Sequence, residues 1–83
     1  MIAQILSAMH TALNSELSQK RALNLQIEIV GKLIDRRWAV AIERDDKPMM
    51  NAIVSVLHDA TNAADANDLA TLKNCEARLN ELR

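Results

Sequence analysis

Phenylalanine and tyrosine are absent from this chain, which holds a single tryptophan, a single cysteine, a single proline and a single glycine among 83 residues. Each scarcity removes a class of protein. β-Sandwiches and barrels lean on aromatic and β-branched side chains, so the near absence of rings points to an all-α fold. One cysteine, Cys75, cannot form an internal disulfide, and the expected setting is a reducing, cytoplasmic one. With Gly31 the only glycine, no glycine-rich loop exists to cradle a phosphate. Charge of one sign is also lacking. Ten basic residues stand against eleven acidic ones, so no overall field draws the chain to nucleic acid or to an anionic membrane.

Residues 1–15 contain no Asp, Glu, Lys or Arg, but Gln4, Ser7, His10, Thr11 and Asn14 interrupt them too often for a membrane span. A solvated helix normally carries lysine and glutamate on its outer face. The expectation is that this segment is covered on more than one side.

What the chain does have is helical periodicity. Ile2, Leu6, Met9 and Leu13, then Leu23, Ile27, Val30, Ile34 and Trp38, recur at steps of three and four and form one stripe of an amphipathic helix. Glu16 and Lys20 fall on the same seam, so its middle is polar for about two turns and the helix is expected to bend or the seam to open there, with Leu17 the nearest apolar substitute. Glu16 with Lys20, Glu28 with Lys32 and Glu43 with Lys47 are spaced to support a helix by roughly 0.2–0.5 kcal/mol each. A rival reading places a β-hairpin at residues 22–43 between helices, an α+β fold, because Leu23, Leu25, Ile27 and Ile29 alternate with polar residues and Trp38, Val40 and Ile42 alternate with Ala39, Ala41 and Glu43. No Asn-Gly or Asp-Gly turn joins those runs, and the helix is preferred.

Asp45, Asp46, Lys47 and Pro48 are the clearest punctuation, ending one helix near Glu43 and starting another near Pro48. Beyond it Met49, Ile53, Val56, Leu57, Ala60 and Ala64 form one apolar face, and Leu69, Leu72, Cys75, Leu79 and Leu82 another. Between them the chain either kinks or breaks near residues 65–67, with Asp65 or Asn67 as the cap of a further helix. The whole of 1–83 reads as one small domain: an antiparallel helical hairpin with a long first helix. A chain of this size has little core of its own. A two-arm hairpin would leave Leu25, Ile29, Leu33 and Val40 on a bare edge, so two copies are expected to pack into a four-helix bundle, with Ile2, Leu13, Leu25, Ile29 and Leu33 at the dimer interface.

Nothing suggests catalysis. His10 and His58 lack a second ligand at helical metal spacing, His58 and Asp59 point about 100° apart, and Cys75 has no nearby histidine or lysine to activate it. No cofactor, metal or enzymatic activity is expected, and Cys75 reads as a buried spacer. Gly31, on the seam, is expected to make room for a bulky residue such as Trp38, Met49 or Met50 at a tight crossing. The one local basic feature is Lys32, Arg36, Arg37, Arg44 and Lys47 around Trp38, balanced by Glu28, Asp35, Glu43, Asp45 and Asp46. The expected function is therefore a non-enzymatic protein-interaction module, an adaptor, small chaperone or inhibitor of a larger protein, using Leu6, Met9, Arg36, Arg37 and Trp38. The alternative is a small dimeric nucleic-acid-binding regulator that uses the basic cluster at residues 32–47.

Overall fold

The structure is a computed structural model that describes the backbone of residues 2–82 and the side chains of residues 17–82. Three helices follow one another: α1 at Ile2–Arg44, α2 at Lys47–Asp65 and α3 at Leu69–Glu81. Residues 22–43 are helical throughout, which overturns the β-hairpin alternative. The alternation of Leu23 to Ile29 is shared between a strand and a wide helical face, and the absence of any turn residue decides for the helix.

α1 does not bend at its polar middle. At about 1.5 Å per residue a straight helix of 43 residues is about 65 Å long, which matches the 65 × 17 × 16 Å extents of the molecule. Glu16 to Ala22 are good helix formers with no glycine or proline among them, so the polar interruption alters the surface and leaves the backbone intact.

Both turns use the same device. Asp45 takes a left-handed conformation, φ 51°, and the N–H of Asp46 donates to the Ala41 carbonyl at 2.9 Å while that of Asp45 donates to Ile42 at 3.1 Å. At the second turn Asn67, φ 55°, repeats this, with Asp68 donating to Ala63 at 2.8 Å and Asn67 to Ala64 at 3.2 Å. These are Schellman closures, made with Asp and Asn where glycine is commonest. In each, the next residue is already the following helix's N-cap: Asp46 Oδ1 accepts from Met49 N, and Asp68 Oδ1 from Thr71 N, both at 3.1 Å. The break falls within the stretch expected from the sequence, but the cap is Asp68 instead of Asp65 or Asn67, because Asn67 is used for the left-handed step.

Since the break is a full turn, the second arm is two helices, and α3 packs against both α1 and α2. The molecule is a three-helix bundle built on the C-terminal half of α1. One core cluster holds Val30, Val56, Ala60, Ala63, Leu72, Cys75 and Leu79; a second, nearer the α1–α2 turn, holds Ala41, Met49 and Ile53; Ile34 and Leu82 touch both. Cys75 is fully buried among them, as its spacer reading requires.

The seam of α1 is the expected one only in part. Leu23, Val30 and Ile34 are covered as expected, but Ile27 and Trp38 are 37% and 38% exposed, and the face is completed instead by Gln26, Leu33, Arg37 and Ala41. Leu23, Gln26, Val30, Leu33, Arg37 and Ala41 also step by three and four, but sit about 100° around the helix from the Ile27 and Trp38 line. α3 causes the shift, because it occupies the side where Gln26 and Arg37 lie. Gln26, 8% exposed, donates from Nε2 to Glu76 Oε2 at 3.0 Å, and Arg37 Nε donates to the Leu79 carbonyl at 3.0 Å.

Candidate docking groove

Rotating the seam away leaves Ile27, Gly31, Ile34 and Trp38 as a line along the open side of α1. Ile27 and Trp38 are joined there by Val54 and Leu57 of α2, 52% and 47% exposed. Two adjoining pockets follow this line, one of about 390 Å³ bounded by Ile34, Trp38, Val54 and Leu57, the other of about 230 Å³ running past Ile27, Gly31 and Ala64. They share Ile34 and Leu57, so together they make one apolar groove between α1 and α2. Asp35 stands on one rim, and Thr61 and Asp65 close the far end.

Gly31 lies in the floor of the groove. A Cβ built there would meet nothing within 4 Å among the described residues, so the tight internal crossing expected from the sequence does not exist. The reason is again the rotated seam: Gly31 faces out, and Met49, one of the bulky residues expected against it, is buried in the second cluster. A mid-helix glycine costs roughly 1 kcal/mol relative to alanine. None of the described residues uses the space that cost creates.

The candidate residues fall in different places. Trp38 lines the groove. Arg36 is exposed, while Arg37 is half-buried and committed to α3. Among the proposed dimer positions, Leu25 is 59% exposed, Ile29 is half-buried and Leu33 is half-buried against the first core cluster. Leu6 and Met9, with Ile2 and Leu13 of the dimer set, lie outside the residues whose side chains are described. The basic cluster is divided: Lys32 pairs with Glu28 at 3.0 Å on an exposed face, and Arg37 turns into the bundle.

Val54 and Leu57 are groove residues that sequence reasoning misses, since periodicity assigns Leu57 to the buried face of α2 with Val56. The signal is present all the same: apolar residues at 53, 54, 56 and 57 cover an arc too wide for one neighbouring helix.

Elsewhere the polar side chains are used structurally. Arg78 donates from Nη1 to Asp59 Oδ2 at 2.7 Å and ties α3 to α2. His58 Nε2 faces the amide of Asn62 at 3.3 Å on the surface. Burial pushes the Cys75 thiol above its ordinary range, away from a reactive thiolate. Among the described residues no three of His, Cys, Asp and Glu converge as a metal set, and no helix is long and apolar enough to cross a membrane. Comparison with protein-family models, with curated proteins and with solved structures finds no match to this chain.

Proposed function

We propose that this protein is a non-enzymatic interaction module that works by seating an apolar helix in the groove between α1 and α2. The observation that carries this reading is the groove itself: Ile27, Ile34, Trp38, Val54 and Leu57 form a continuous apolar strip along two helices, floored by a glycine the chain does not otherwise need. Grooves of this form take amphipathic helices through anchors spaced three and four apart, and the partly exposed Trp38 at one end is the residue type that most often dominates such contacts. An adaptor, small chaperone or inhibitor of a larger protein fits these features. A lone buried thiol suits work in the cytoplasm.

Association of two copies into a bundle belongs to the same reading. The nucleic-acid alternative would rest on exposed Arg36, Arg44 and Lys47, since Arg37 is committed to α3 and Lys32 is paired with Glu28 at the surface.

The test is parallel affinity capture with the wild-type chain and L57E, both checked for helicity by circular dichroism. Leu57 is 47% exposed and outside the core clusters, so a charge there blocks the groove without emptying the interior. A protein, or a second copy of the chain, that is retained by wild type and lost by L57E is expected. Identical retention by both would refute the reading.

A further inference from the structure

α1 outruns the rest of the fold. α2 has 19 residues and covers about 28 Å, so its end lies level with the region of Gln19 to Leu23, where Asn67 and Leu69 meet α1. The backbone of α1 continues as helix from there to Ile2. An isolated helix of this length is marginal in water even with a favourable sequence, and this one has no charged residue before Glu16. It needs cover that α2 and α3 are too short to give.

Helical register says which face needs covering. Ile2 and Trp38 are separated by a whole number of turns at about 3.6 residues per turn, and because α1 is straight the two positions share a face. The register positions of Ile2, Leu6, Met9, Leu13 and Leu17 therefore continue the line of Ile27, Gly31, Ile34, Trp38 and Ile42. They do not continue the Gln26, Val30 and Arg37 seam buried by α3. One face of α1 is thus apolar at both ends, within the groove and beyond it.

Four of the five positions at each end pair about one centre: Ile2 and Ile42, Leu6 and Trp38, Leu13 and Gly31, and Leu17 and Ile27 are all centred on Ala22, and Met9 with Ile34 misses it by half a residue. A two-fold axis at Ala22 that sets two α1 helices antiparallel places each position of the four pairs level with its counterpart. We infer that the occupant of the groove is a second copy of this chain, whose α1 segment 2–17 lies between α1 and α2 as a fourth helix, reciprocally at both ends of the dimer. This rests on the groove being the interaction surface and names what fills it.

Several features of the chain take on a role in this arrangement. The absence of charge in residues 1–15 suits a segment enclosed between two helices. Gly31 lies level with position 13 of the other copy and opens the floor for a leucine. Lys20 of the stripe lies level with Asn24 of the other copy near the two-fold axis, where a polar layer sets register and orientation at some cost in stability. The expected four-helix bundle thus arises twice, each time as three helices from one copy and one from the other. A two-fold interface of this kind is self-complementary and closes at two subunits.

The test is cysteine cross-linking with light scattering. The wild-type chain should have twice its 9.2 kDa mass in solution. Mixed L6C and W38C variants should form an oxidised heterodimer at least tenfold faster than L6C with itself, and L13C with G31C should behave likewise. Positions 6 and 38 are about 48 Å apart along one α1, so no single chain can make that link. Cys75 is fully buried and remains in place. A monomeric wild-type chain, or faster linkage of L6C to itself, would overturn the inference. If the chain is monomeric while L57E still loses a captured protein, the groove stands as the interaction surface and the second copy does not. If L57E loses nothing, both fail.

Discussion

Arg37 of α1 closes the end of α3: its Nε donates to the Leu79 carbonyl at 3.0 Å, on the last turn of that helix. The Leu79 carbonyl also accepts from the Leu82 N–H at 3.2 Å, so the guanidinium adds a second donor and a favourable charge at the negative dipole end of the helix. A residue that reads from sequence as part of a basic surface thus joins two helices far apart in the chain.

Replacing Arg37 with alanine is expected to destabilise the fold by about 1.5–2 kcal/mol, the lower part of the range for a charged hydrogen bond, since the side chain is only half-buried. Urea unfolding at constant m-value measures it. Arg36→Ala, on an exposed position of the same helix, is the control and should change little. Equal midpoints for the two variants would remove the capping role.

Asp45 and Asn67 hold left-handed backbone at φ 51° and 55°, which costs a side-chain-bearing residue energy that glycine is spared. Asp45→Gly and Asn67→Gly are each expected to raise stability by a few tenths to about 1 kcal/mol, offset in part by the greater freedom of glycine in the unfolded chain. Thermal midpoints that fall in both variants would show the two turns to be unstrained.

Asp68 is held below its ordinary value of 3.8, first by the hydroxyl hydrogen bond of Thr71 at 2.6 Å and then by the Thr71 N–H. A carboxylate whose value is lowered on folding contributes stability that is present above 3.8 and is lost as pH falls through the lowered folded value. An asparagine in its place would cap without titrating, so D68N is expected to unfold at lower urea than wild type at pH 6, with the difference shrinking by pH 3. A difference that is the same at both pH values would contradict this.

Gly31→Ala separates the needs of the single chain from those of the groove. With nothing within 4 Å of the added methyl, the helix should gain up to about 1 kcal/mol. Association should weaken, because the floor of the groove rises. Dilution followed by light scattering reads the second effect and urea unfolding under dissociating conditions the first; stronger association in the variant would argue against close approach at Gly31.

The helices and their joints were legible in the sequence. Three-and-four spacing from Ile2 to Leu13 and from Leu23 to Trp38, the Asp45 to Pro48 punctuation and the small polar residues around 65–67 are local signals, and helix formation, capping and chain reversal are local processes. Burial of Cys75, Leu72 and Leu79 followed from the same periodicity. The rotation of α1 could not be read this way. Its apolar and amphipathic residues cover two adjoining stripes, Leu23–Val30–Ala41 and Ile27–Ile34–Trp38, and periodicity is equally satisfied by burying either. Only the position of α3, held by Gln26 against Glu76 and Arg37 against Leu79, decided that the first stripe goes inside while Ile27 and Trp38 of the second stay open, with Ile34 half-buried between them. A helix repeats its pattern whatever lies beside it; which face is core depends on a neighbour fifty residues away in the chain, and that is a property of tertiary packing.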